Sequence, residues 1–199
     1  MIDNFTQIRT YLNFDNKNDV YIIEIIQRKK DGNEFIKSQK CLEFIMIDSL
    51  ETFDKYEPII INKCTYNNAR AYIRLNKRNK KKIALEFLRA ITNNVSNESY
   101  DFNHKKIYQS VCGKYHSDNN KTWLVDVDNA DWDYVRDISL SIMDLYKKSN
   151  KEGYNMIMIN TLNGYHIICS PFNLQEFKKQ YKDVEVHKDN PTLLYFNKK

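Results

Sequence analysis

The stretch TWLVDVDNADWDYVRDISLSIMDLYKK, Thr122–Lys148, decides how the rest of the chain is read. Its first part is a short apolar run in strand register. Successive side chains alternate between faces, so Leu124, Asp126 and Asp128 share one side while Val125 and Val127 take the other. The second part spaces Val135, Ile138, Ile142 and Leu145 three and four residues apart, the period of an amphipathic helix. At their junction four aspartates fall within the eight residues from Asp126 to Asp133. Carboxylates this close repel one another unless water solvates them in a turn or a cation sits among them.

Downstream, YNMIMINT and YHIICS read as two strands joined through Leu162-Asn163-Gly164, and Asn-Gly between apolar runs signals a hairpin. After Pro171, Asn173 followed three residues later by Glu176 marks a helix start, and VEVH and TLLYF supply the final strands. The order β-α-β-β-α-β is the split pattern of ferredoxin-like and RRM-like sheets, whose first and third strands lie side by side in the middle. The first strand then runs antiparallel to the third and fourth, so its C-terminal end adjoins their beginnings. Asp126, Asp128, His166 and Glu185 are expected at one rim. Each has a plainer reading alone: a DxD at a strand end serves turns and caps, Asp131 or Asp133 caps the next helix, and His166 is a hairpin residue. Asp183 or Asp189 replaces Glu185 after a small register change. Together they make a site of hard oxygen donors suited to Mg2+ or Mn2+, ions that bind substrate phosphates beside one or two carboxylates.

Upstream, Ile2, Phe5, Ile8 and Leu12 predict a short helix over residues 2–13. DVYIIEIIQRKK and EFIKSQ predict strands flanking a turn at Asp31-Gly32-Asn33, with a further strand in CLEFIMID. ARAYIRLN alternates, placing Arg70, Tyr72, Arg74 and Asn76 on one strand face. Arg70 and Arg74 there suit phosphate oxygens, which guanidinium forks match, or simply a solvent-facing strand. Helices are predicted in IALEFLRAITNNV, after the basic run KRNKKK, and in YDFNHKKIYQSV. With 4 Gly and 3 Pro in 199 residues and no linker-like or repeated segment, one compact domain is expected. It divides into an N-terminal α/β module over 1–120 and an RRM-like palm over 121–199, an α+β class overall.

Charge is uneven: Lys63 to Lys121 holds 13 Lys or Arg against 4 Asp or Glu, while the rest holds 18 against 22. The basic segment suits a polyanion, and the run Lys77 to Lys82 would strengthen salt-sensitive nucleic-acid binding. No apolar run reaches the ~18 residues of a membrane span, and the N-terminus lacks the apolar segment of a signal peptide, so a cytoplasmic protein without membrane partners is expected. Cys41, Cys64, Cys112 and Cys169 stand far apart without CxxC pairing and read as reduced packing residues.

These features resemble the archaeo-eukaryotic primase superfamily, including primase-polymerases of phages and mobile elements. The resemblance covers about residues 69 to 196. It rests on LVDVD as a hydrophobic strand ending in DxD, on TLNGYHII as a turn leading to a histidine, and on the acidic strand DVEVHKDNPTLLY. It implies a catalytic core with an RRM-like palm and a preceding α/β module. Asp126 and Asp128 would bind catalytic Mg2+ or Mn2+, Glu185 would complete the acidic triad, and His166 would contact the phosphates of the incoming nucleotide. Lys188 is a further nucleotide contact on this resemblance, with Arg70 and Arg74 matching by position. The implied activity is DNA priming or primed polymerisation by nucleotidyl transfer, with single-stranded DNA and NTPs or dNTPs as partners and any replicative helicase a separate chain. The sequence departs from the family in carrying Glu185 where Asp is common and a histidine turn with few small residues. Two alternatives stay open: an RRM-like module that binds single-stranded nucleic acid without chemistry, and a metal-dependent nuclease or phosphodiesterase using the same carboxylates.

Overall fold

A computed structural model of the chain describes residues 1–114, 121–129, 131–149 and 153–197. The N-terminal half forms β1 (Ile2–Asp3), α1 (Phe5–Tyr11), β2 (Asp19–Arg28), β3 (Gln39–Ile47), α2 (Leu50–Asn67), β4 (Arg70–Asn79), α3 (Lys80–Ser96) and α4 (His104–Lys114). The remainder forms β5 (Trp123–Val127), α5 (Trp132–Lys147), β6 (Met156–Asn160), β7 (Tyr165–Cys169), α6 (Leu174–Gln180), β8 (Glu185–His187) and β9 (Thr192–Phe196). The fold is mixed α+β with two antiparallel sheets, ordered β1-β9-β4-β2-β3 and β6-β7-β5-β8, and six α-helices among the described residues. No helix among them is long and apolar enough to cross a membrane.

Local chemistry explains the elements that carry the site. Asp131 caps α5, its carboxylate accepting from Asp133 N at 3.0 Å. The helix then buries Val135, Ile138, Ser139, Ile142 and Tyr146, a stripe at helical period. Asn173 caps α6 through Glu176 N at 3.2 Å. These two helices cover one face of the second sheet, around Val125, Val127, Ile167 and Phe177. The other face contributes Leu124, Ile159 and Ile168 to the core that α1 and α2 build with Tyr21, Ile23, Ile73 and Leu194. On the first sheet, α3 and α4 pack Ile83, Val111 and Cys112 against Val20 and Ile22. All four cysteines are free, and three of them are buried.

Several expectations need correction. Ile2 is not helical: it pairs with Phe196 in β1, and Asn4 anchors the segment by donating to Leu193 O at 2.9 Å and Asn160 O at 3.0 Å. EFIKSQ is not a strand. A 3-10 turn over Lys29–Asp31 ends at Gly32 in the left-handed region, φ 94°, and the partner of β2 is Gln39–Ile47. Asp31, at the end of this turn, is buried with its carboxylate accepting from the Arg70 guanidinium. Residues 50–67, for which the sequence pattern predicts no element, form α2, capped by Ser49 through Thr52 N at 3.0 Å and closed by Asn68 at φ 46°. Its interior Pro58 masks a buried stripe of Phe53, Ile60 and Cys64. TLLYF, assigned by sequence to the unit over 121–199, instead inserts between β1 and β4 of the first sheet.

Gly164 closes the β6–β7 turn for a reason other than the one the Asn-Gly pattern suggests. It has no positive φ, and a Cβ there would lie 2.0 Å from Val127 O and 2.7 Å from Asn129 N. The missing side chain lets the turn lie directly on the backbone that presents Asp128.

Candidate functional site

The register of the second sheet sets one row of functional side chains. Asp126 pairs with His166 on β7 and with Glu185 on β8. Directly opposed residues share a face, so the three stand side by side, with Asp128 two residues further on the same face of the chain. This is the rim the sequence predicts. Beyond it, the row looks across to the first sheet, and the space between is a cleft of about 270 Å³. Asp126, Asp128, His166 and His187 line one side of it, and Arg28, Lys30, Arg70 and Tyr72 the other.

The interface that holds the two sheets in this relation is polar and buried. Asn76 of β4 acts as a strand edge in miniature, donating to Thr122 O at 3.0 Å and accepting from Thr122 N at 2.6 Å. It also donates to Asp189 Oδ1 at 3.0 Å, while the fully buried Arg78 donates to Asp189 Oδ2 at 2.8 Å and to Cys112 O at 2.8 Å. This network ties β4 to the start of β5 and to the β8–β9 connection.

The acidic side carries excess negative charge. Burial, then the neighbouring Asp128 and Glu185, push the Asp126 carboxyl above its usual range, with His187 acting in the opposite direction. His166 is largely buried, and burial lowers its imidazole to about 4 despite the pull of Asp128, with His187 adding to the depression. Its Nδ1 meets Thr192 Oγ1 at 2.8 Å, and its Nε2 lies 3.5 Å from Asp126 Oδ1. Glu185 is aligned with Asp126 but is not drawn in. Its side chain is 72% exposed, lies 3.1 Å from His187 Nε2, and lines a second cavity of about 350 Å³ with Asp126, Asp128, Asp183 and Tyr134. Among the described residues no three His, Cys, Asp or Glu side chains are grouped closely enough to hold a metal ion. The pair Asp126 and Asp128 remains, lining both cavities.

The basic residues are distributed otherwise than the sequence suggests. Arg70 lines the cleft, but its fork is engaged by Asp31 and its guanidinium lies 4.6 Å from the Phe196 ring centre. Arg74 lies outside the lining, donating to Glu24 and to the Asp189 carbonyl at 3.3 Å each. Lys188 turns to the opposite face, its ammonium 5.4 Å from the Trp123 ring centre, because it alternates with the cleft-facing His187. Within the run from Lys77 to Lys82, Lys77 pairs with Asp15 and Asp19, Arg78 is buried, and Lys80 faces Asp48 at 3.5 Å, so much of its charge is used internally. The cleft-lining cations left for a ligand come from the last residue of β2 and the 3-10 turn that follows it. Arg28 donates to Tyr72 OH at 2.8 Å, and neither Arg28 nor Lys30 meets a carboxylate among the described residues. Sequence reasoning misses both, and misses His187 and Thr192. The available signal was the alternation of Glu185 and His187 in VEVH; nothing local marks Arg28 and Lys30, which lie on either side of the junction between β2 and the 3-10 turn.

No protein-family model, no curated protein and no solved structure matches this chain.

Proposed function

We propose that the chain is a divalent-metal-dependent nucleotidyltransferase, a primase or primase-polymerase that extends nucleic acid on a single-stranded DNA template. The observation that carries this reading is the opposition, across one cleft, of Asp126 and Asp128 to Arg28 and Lys30. A nucleoside triphosphate with its metal presents the complementary charge pattern: cation toward the carboxylates, phosphate oxygens toward the basic wall. The strand order β8-β5-β7-β6 supports reading the second sheet as an RRM-like palm, with the first sheet as its preceding module.

The residues fit the metal this reading requires. Asp126 and Asp128 offer hard oxygens; burial, and then its acidic neighbours, disfavour the charged form of Asp126, which a divalent cation would favour. Two carboxylates with substrate oxygens completing the shell is an ordinary arrangement for Mg2+ or Mn2+, and Glu185 on the adjacent strand is the third acidic residue of the proposed set. When bound, the ion would activate the attacking 3'-hydroxyl and stabilise the leaving pyrophosphate. Arg28 and Lys30 hold the triphosphate, His166 touches a phosphate oxygen, and Tyr72, bonded to Arg28, keeps that guanidinium directed into the cleft. The non-catalytic alternative is disfavoured, because the sheet face that an RRM uses to stack bases here buries Leu124, Ile159 and Ile168 against the first core.

The test is incorporation of labelled NTPs and dNTPs on single-stranded DNA, with and without primer, in Mg2+ and Mn2+, with Asp126→Ala alongside. Metal-dependent chain growth with pyrophosphate release, lost in the variant, supports the reading. Chain shortening would make the protein a nuclease instead, and equal activity of a folded variant would refute the mechanism.

A further inference from the structure

Thr192 belongs to the first sheet, opposite Ile73 on β4, yet its side chain reaches His166 of the second. Thr192 is fully buried, and its hydroxyl has one hydrogen-bond partner among the described residues, His166 Nδ1 at 2.8 Å. That hydroxyl carries one proton that must be donated somewhere. If Nδ1 carried a proton of its own, the threonine would have to accept, and its O–H would be left buried without an acceptor, a state that costs free energy. The arrangement satisfies both groups only when Thr192 donates and Nδ1 accepts. The imidazole proton then sits on Nε2, the atom that faces Asp126 at 3.5 Å, a separation long enough to leave the N–H unspent.

We propose that Thr192 is a positioning residue that fixes His166 in the Nε2–H form, so that His166 presents a neutral hydrogen-bond donor to an anionic oxygen in the cleft. The identification of that oxygen as a nucleotide phosphate rests on the function proposed above, whereas the tautomer does not. The device also couples the sheets: β9 completes the first sheet and sets the donor of the second.

The experiment is long-range 1H–15N NMR of the histidine-labelled protein at pH 7.5, on the wild type, Thr192→Val and Thr192→Ser, paired with titration of Mn2+-dATP. The wild type is expected to show His166 with a bare Nδ1 and a protonated Nε2. Thr192→Ser should retain that pattern. Thr192→Val should give mixed or Nδ1–H tautomers and bind Mn2+-dATP about tenfold more weakly, the loss of one oriented charge-assisted hydrogen bond. A wild-type His166 protonated on Nδ1 overturns the proposal, and so does a folded Thr192→Val protein with an unchanged tautomer. If Thr192→Val fails to fold, the wild-type and serine spectra still decide. The expected tautomers without any nucleotide binding would uphold the positioning role and count against the nucleotidyltransferase reading instead.

Discussion

Removing the titration of His166 should change how stability depends on pH. Burial depresses this imidazole from 6.5 to about 4, so the folded chain resists a proton that the unfolded chain accepts. Above pH 6.5 both states hold it neutral and nothing is lost. As pH falls from 6.5 toward 4 the unfolded state binds the extra proton, so stability drops across that window and levels off below it. A displacement of this size corresponds to about 3 kcal/mol in full, with roughly 2.5 kcal/mol already lost by pH 4.5. The side chain is 13% exposed, so solvent screening removes little of it. His166→Gln cannot titrate, and whatever its stability at pH 8, it should not share this loss. The assay is urea unfolding of both proteins in EDTA, followed by tryptophan fluorescence, from pH 8 to 4.5. The wild-type midpoint should fall relative to the variant by roughly 1 M over that range. Parallel pH profiles for the two proteins would refute the buried neutral imidazole.

Three further outcomes follow from named contacts. Gly164→Ala drives a methyl into the Val127 carbonyl and should cost about 3 kcal/mol, a fall in Tm of roughly 6–12 °C by calorimetry; a change under about 2 °C would contradict the close approach. Asp189→Ala removes a carboxylate from beside the fully buried Arg78 guanidinium and should destabilise by about 3 kcal/mol in chemical denaturation, whereas the exposed Lys81→Ala should stay within about 0.5 kcal/mol. The double variant Arg28→Ala, Lys30→Ala should weaken Mn2+-dATP binding by about ten- to a hundredfold and flatten its salt dependence, while Arg74→Ala, whose guanidinium is held outside the cleft, should bind as wild type; fluorescence titration at two salt concentrations reads both.

Much of the second sheet was legible because its information is local. Alternation fixes which residues of LVDVD share a face, and the β-α-β-β-α-β order fixes which strands meet, so Asp126, His166 and Glu185 arrive in one row as expected. What the sequence conceals depends on packing between distant segments. β9 carries no mark of its membership in the first sheet, since every residue of TLLYF is buried and a fully buried strand has no alternation to read. Arg70 looks available for phosphate until Asp31, 39 residues earlier, occupies it, and nothing local shows that Arg28, at the end of β2, lines the cleft. Lys188, named on the resemblance, lies just past β8 with its ammonium near the Trp123 ring, a placement that only the packing of β5 beside β8 reveals. The Asn-Gly pair pointed to the correct turn, but through backbone freedom, whereas the fold uses the absent Cβ of Gly164.

The central claim is that Asp126 and Asp128 hold a divalent cation jointly with a nucleotide bound across the cleft. Electron paramagnetic resonance of Mn2+ titrated into the protein with and without dATP tests this without requiring turnover. The wild type should take up Mn2+ far more tightly when dATP is present, and Asp126→Asn with Asp128→Asn, still folded, should lose that uptake. Mn2+-dATP binding of equal strength in the wild type and the double variant would contradict the account.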